Sequence, residues 1–326
     1  MVGTLAALTI GGRGVVRAQG RRRVRLAFCS QLLCVVPYEF TRARGLFAAE
    51  GLDVELVYTR GGNAAMQALV GGAVEYAATS FDVALLAFAN GAHIRRFATT
   101  GRLPLFALAS APRRAGDLVG VADLAGTTIG VSALGNADHV LALYLLEQAG
   151  VDTGGVDFAT LGVNLFEALR RGQVDAGMVQ EPALSLLLDE GAGVLFNAMD
   201  LADAERVLGG AYEFMGVAVR ADEVDERLEE MRALSRALEA GLIALQSAPV
   251  EELVAALPDE LIAGDDVARL HEILARTRRS LYPDTVAIDV AASRRVEESQ
   301  RIAGIRADEV DLDVLLATHV LGAPGN

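Results

Sequence analysis

The sequence predicts an α/β chain of two lobes, each a mixed sheet flanked by helices, joined by two strand crossings. Three observations predict it. At 326 residues the chain exceeds one ordinary core and suggests two. Short apolar runs alternate with glycine turns and helical patterns, as in a sheet covered by helices. A segment also recurs without a gap one hundred residues on: ALVGGAVEYAATSFDVALLAFANGA at 68–92 and ALRRGQVDAGMVQEPALSLLLDEGA at 168–192. Ala, Leu, Gly, Val, Leu, Gly and Ala recur at 68, 69, 72, 74, 86, 91 and 92 and their partners, and Glu75 is answered by Asp175. Each copy reads as helix end, glycine turn, strand, polar loop and helix. The copies differ in the loop, Thr79 to Asp82 against Val179 to Pro182.

The elements follow in order. RVRLAFCS from Arg23 alternates as an opening strand and ends at Ser30 and Gln31. A helix over Val36 to Glu50 closes at Gly51. Leu52 to Tyr58 is a strand, Arg60 to Asn63 a glycine turn, and Ala64 to Val70 a helix. The first repeat copy comes next, then strands over Ile94 to Thr100 and Leu103 to Ser110. A break at Pro112 to Gly116 marks a boundary. The second lobe continues with a strand in TTIGVS, a helix over Ala137 to Ala149, a strand over Val156 to Thr160 and the second copy. Ala211 to Arg220 reads as a returning strand. A helical tail follows, over Glu223 to Gln246, Pro249 to Ala256, Asp265 to Arg279 and Ala291 to Ile302. These signals divide the chain into a leader at 1–23, a first lobe at 24–107 plus 214–326, and a second lobe at 108–213.

Composition removes several functions. Hydrophobic residues make up 52% of the chain, yet no run reaches the ~20 apolar residues of a spanning helix. A net charge of −14 repels phosphate backbones, which excludes nucleic acid as a natural partner. All 29 basic residues are arginine, so there is no lysine for a Schiff base or a P-loop. His93, His139, His271 and His319 show no metal-ligand spacing. Neither a cofactor nor a metal is expected. Cys29 and Cys34 read as buried small hydrophobes, and a bridge between them requires Cα atoms within about 7 Å. No acid precedes Glu39, and the apolar stretch Leu5 to Ile10 with Ala18 beyond it resembles the tail of a secretory signal. No basic residue precedes that stretch. Export is the favoured expectation, and a disordered leader is the other.

Ligands of α/β sheets sit beyond the carboxyl ends of strands, where loops enter helices. That rule selects Ser30 and Gln31, Gly61 to Asn63, Thr79 to Asp82, Ser132 to Asp138, and Gln180 to Pro182. Helix capping is the rival reading of each, because Ser, Thr, Asn and Asp are the preferred caps with or without ligand.

The segments ARGLFAAEGLDVEL, GGNAAMQALVGGAVEYAATS, DLAGTTIGVSALGNADHVLALYLLEQAGVD and EALRRGQVDAGMVQEP together resemble the solute-binding proteins of bacterial ABC importers for nitrate, sulfonates, taurine and thiamine-precursor pyrimidines. The resemblance implies a periplasmic-binding-protein-like fold of type II, a small ligand in the interlobe cleft, and membrane permease subunits as partners. It also implies an extracytoplasmic, monomeric protein that does no chemistry. The site residues it supports are Ser30, Gln31, Tyr38, Asn63, Thr79, Ser80, Asp82, Ser132, Asn136, Asp138, Gln180, Glu181 and Tyr212, with Phe81 and Phe214 as further stacking candidates. That group is similar in fold to a yeast pyrimidine-synthesis enzyme, whose pyridoxal phosphate is held on a lysine this chain lacks. Asp82, Asp138 and Glu181 in the loops, with Arg60 the one arginine among them, favour an amino-bearing heterocycle such as a thiamine-precursor pyrimidine over nitrate, sulfonate or taurine.

Overall fold

A computed structural model describes residues 21–262 and 266–321. The expected leader lies outside the described residues up to position 20. Its last two positions, Arg22 and Arg23, instead open the first strand.

Ten strands form two sheets of five. In chain order they are β1 (Arg22–Cys29), β2 (Leu52–Thr59), β3 (Tyr76–Ser80), β4 (Ile94–Thr99), β5 (Ala107–Ser110), β6 (Thr128–Val131), β7 (Asp157–Thr160), β8 (Ala176–Val179), β9 (Val194–Asn197) and β10 (Met215–Arg220). The first sheet runs β2-β1-β3-β10-β4 and the second β7-β6-β8-β5-β9. In each, three strands are parallel. The fourth is antiparallel to both of its neighbours. That fourth strand is the one whose chain has just arrived from the other lobe. The sheets therefore share one plan, with β3 and β8 in the same position. Helices cover both faces of these central strands, so they are buried along their whole length and read as apolar runs.

The repeat is this shared plan. Gly72 and Gly172 both end a helix with positive φ, 74° and 62°, and Gly91 and Gly191 do so at 89° and 91°. Only glycine adopts that turn without steric cost. The acids that follow the turn also match. Glu75 accepts from the backbone N–H of Arg25 on β1 at 2.8 Å and from its guanidinium at 2.7 Å. Asp175 accepts from the backbone N–H of Thr128 on β6 at 3.0 Å and from the guanidinium of Arg114 at 2.6 Å. Each carboxylate fastens the start of its strand to the neighbouring parallel strand.

Several boundaries differ from the sequence reading. The first helix begins at Leu32 and breaks at Gly45, giving Leu32–Ala43 and Leu46–Ala49. Pro37 lies inside it and has no N–H for the Leu33 carbonyl, which would ordinarily disfavour the helix there. The Tyr282 hydroxyl donates to that carbonyl at 2.7 Å instead. The two crossing strands are shorter than expected, starting at Ala107 and Met215, and residues 100–102 bond to 212–215 beside them. Tyr212 N–H donates to Arg102 O at 2.9 Å, Phe214 N–H to Gly101 O at 3.0 Å, and Thr100 N–H to Met215 O at 2.7 Å. The crossings thus run side by side as one hinge.

The tail packs mainly on the first lobe, where helix Leu228–Ser247 lies against Leu32–Ala43. It reaches the second lobe as well. Helix Val290–Ile302 contacts both Phe81–Ala89 and Ala137–Gln148. Helix Val267–Leu281 sends Arg269 to Asp189 at 2.7 Å.

Candidate functional site: the interlobe cleft

The carboxyl ends of the parallel strands in both sheets face one cleft. Two side-chain pairs meet across it: Gln180 Nε2 donates to Gln31 Oε1 at 2.7 Å, and Asn63 Nδ2 donates to Asn136 Oδ1. Behind these pairs lies a cavity of ≈ 290 Å³, lined from the first lobe by Cys29, Gln31, Cys34, Arg60 to Gly62, Thr79, Ser80, Val83, Phe214 and Met215, and from the second by Ser132, Ala133, Asn136 to Asp138, Gly162 and Val163, with Phe106 at the crossing. An adjoining space of ≈ 180 Å³ shares Gln31, Phe106, Ser132 and Asp138 and extends to Gln180 and Glu181.

Of the expected site residues, Gln31, Thr79, Ser80, Ser132, Asn136, Asp138, Gln180 and Glu181 line these spaces, and Asn63 closes the rim. Several are engaged within the protein. Ser80 caps its helix through Val83 N–H at 3.4 Å. Asp138 accepts from the backbone N–H and hydroxyl of Ser132 at 2.5 and 2.8 Å, and burial raises its carboxyl above the usual range. Glu181 accepts from Ser185 N–H at 3.0 Å and from Arg276 of the tail at 2.5 Å. His139 accepts from Gly135 N–H at 3.1 Å, and its burial favours the neutral ring.

Four expected residues sit elsewhere. The Ser30 hydroxyl donates to Thr59 O at 2.8 Å and is outside the lining. Tyr38 is fully buried against Phe28, its hydroxyl 2.7 Å from that of Thr100. Asp82 and Tyr212 face each other inside the first lobe: the Tyr212 hydroxyl donates to Asp82 Oδ1 at 3.0 Å and lies 2.7 Å from the Ser299 hydroxyl. Asp82 occupies the first turn of its helix but on the side turned to the tail rather than to the cleft. Burial pushes its carboxyl up to about 7, the dominant cause, partly opposed by the Tyr212 hydrogen bond. Oδ2 has no hydrogen-bond partner, which suits a protonated acid.

Arg96, fully buried on β4, ties the hinge to the cleft. It donates to Thr79 O at 2.9 Å and Phe214 O at 2.8 Å, and pairs with Glu213 at 3.3 Å. Burial pushes Glu213 up to about 7. Gly216 makes room for this arrangement, since a Cβ there would lie 2.2 Å from Ala98 O and 2.5 Å from an Arg96 Nη atom. Phe81 stacks under Arg96, away from the cleft. Phe214 does line it, edge to face with Phe106 at 5.8 Å.

The sequence reading missed Gly162 and Val163, although they follow β7 and the strand-end rule applies to them equally. It also passed over Phe106, Met215 and the cleft-facing position of both cysteines, which carry no polar signal.

Comparison of folds finds close likenesses at low identity. A protein of Bordetella bronchiseptica RB50 matches with a TM-score of 0.80 and 24% identity, over 93% of this chain and 96% of that one. The periplasmic aliphatic sulphonate binding protein SsuA of Escherichia coli matches at 0.70 and 18%, over 92% and 99%. The periplasmic nitrate-binding protein NrtA of Synechocystis PCC 6803 matches at 0.69 and 13%, over 91% and 86%. The fold is that of the periplasmic binding proteins. A search of curated proteins finds no match. Residues 35–252 match the family described as "NMT1/THI5 like", a span containing both sheets' central strands and the hinge, and the chain belongs to that family.

Proposed function

We propose that this protein is the solute-capturing component of an ABC importer, acting outside the cytoplasm and handing its ligand to a membrane permease. The observation that carries this reading is the pairing of Gln31 with Gln180 and Asn63 with Asn136 over a cavity lined by both lobes. A cleft closed by side chains from both walls, with a two-strand hinge behind it, suits capture and release.

The ligand we infer is a small organic anion with an apolar flank. Helix Gly62–Val70 enters the cleft with no side-chain cap and no acid in its first turn, and Arg60 precedes it. Its free N–H groups and dipole favour a negative head. The helices that begin at Phe81 and Ala137 carry Asp82 and Asp138 in their first turns. Phe106, Phe214 and Met215 offer the apolar wall. The aminopyrimidine that the loop carboxylates favoured loses its basis: Asp82 turns away, and Asp138 and Glu181 have protein partners.

A thermal-shift panel of alkyl and aryl sulfonates, taurine, nitrate, carboxylates and aminopyrimidines tests both parts. A ligand present at one hundred times its Kd adds about 2.7 kcal/mol of stability. The expected result is stabilisation by an organic anion that Arg60→Gln reduces. An aminopyrimidine as the strongest stabiliser would overturn the anion assignment, and no response to any compound would contradict solute capture.

A further inference from the structure

Three sulfur-bearing side chains of the core also border the floor of the cleft. Cys29 ends β1, Cys34 lies in the first turn of the next helix, and Met215 opens β10 beside the hinge. All three line the same cavity. Cys34 Sγ lies 3.8 Å from Met215 Sδ and 3.9 Å from Gln31 Oε1. Cys29 and Cys34 are both free and buried.

We propose that Cys29, Cys34 and Met215 form a sulfur-only site for a soft monovalent ion, Cu(I) being the natural member of that class. Metal–sulfur bonds of about 2.3 Å set the sulfurs of a trigonal site about 4 Å apart. The Cys34–Met215 separation of 3.8 Å already meets this, and Cys29 on the wall of the same cavity is the third corner. Thiolates alone also take zinc, but structural zinc almost always completes four ligands, whereas two thiolates and one thioether suit three-coordinate Cu(I). No group of three His, Cys, Asp or Glu that could hold a metal occurs among the described residues, so a thioether must supply the third bond. Loading converts two thiols and Cu(I) into a bis-thiolate complex and releases two protons, so affinity rises with pH. The ion would occupy cleft floor that a solute also uses, and the two would compete.

The test is anaerobic titration of the reduced full-length protein with Cu(I) against bicinchoninate, a chromophoric chelator. We expect the wild type to withdraw one equivalent. Met215→Leu, close in volume, should weaken binding about tenfold or more, and the Cys29→Ser, Cys34→Ser double variant should abolish it. X-ray absorption of the loaded protein should report sulfur neighbours alone, and Zn(II) should fail to displace Cu(I). The site is overturned if the wild type takes no copper, if Met215→Leu binds as tightly as wild type, or if nitrogen or oxygen ligands complete the shell. Thermal melts of the copper-free variants separate a lost site from a lost fold.

Discussion

At the level of single residues, the first lobe hides two carboxylates that titrate near neutrality, Asp82 and Glu213, on either side of a fully buried Arg96. An acid whose folded pKa exceeds its unfolded value binds its proton more tightly when folded. Its contribution is therefore present at low pH and lost as pH rises. For Asp82 the window runs from its ordinary 3.8 to about 7. Asp82→Asn keeps the shape and removes the titration. The Tm of Asp82→Asn minus that of wild type should climb across that window and level above it; a flat difference would show that the carboxyl is not held protonated. Gly216→Ala should cost more than 2 kcal/mol in chemical denaturation, because its Cβ meets the Ala98 backbone and Arg96 rather than a movable surface side chain. At this scale the sequence identified the loops but not which way each side chain turns. Asp82 and Asp138 occupy equivalent first-turn positions, yet one faces the tail and the other the cleft. That choice is made by Tyr212, which bonds the Asp82 carboxyl and is itself held by Ser299, both distant in sequence.

At the level of elements, the repeat defined the architecture from the start, and the structure adds the reason for its acids. Glu75 and Asp175 each fasten a strand start to its neighbour through a backbone N–H and an arginine. Glu75→Ala and Asp175→Ala should each destabilise by about 1–3 kcal/mol, with smaller losses for the Gln and Asn variants. The two lie in different lobes, so the double variant should show their sum in urea titrations; a large excess would reveal coupling between lobes. Most elements were legible because glycine turns and apolar periods punctuate the chain. The first helix was not. The sequence reading places it from Val36, one residue before Pro37, whereas Tyr282, more than two hundred residues away, supplies the hydroxyl that lets the helix begin at Leu32. The crossing strands were overdrawn too, since residues 103–106 and 211–214 look extended in sequence but join neither sheet.

At the level of the whole molecule, two lobes and a closing cleft could be read from the alternation of elements and the second repeat copy. The tail's reach into the second lobe could not. Its charges looked solvated, but Arg276 crosses to hold Glu181 at the cleft rim, and Arg269 crosses to Asp189. Arg276 is exposed and Arg269 half-buried, and both add to closure. Arg276→Ala should leave Tm nearly unchanged and speed ligand dissociation in stopped-flow displacement, since it loosens the closed form alone. Equal losses in Tm and affinity would make it a stability residue instead.

A small solute is proposed to be held between Gln31 and Asn63 on one wall and Gln180 and Asn136 on the other. Isothermal titration calorimetry with the strongest stabiliser from the ligand panel tests it most directly, comparing wild type with Gln31→Ala, Gln180→Ala and the double variant. The expected result is one saturable site per chain, an affinity about tenfold or more weaker in each single variant, and a double variant whose loss is less than the sum, because the two side chains meet. Unchanged affinity in all three variants would contradict it.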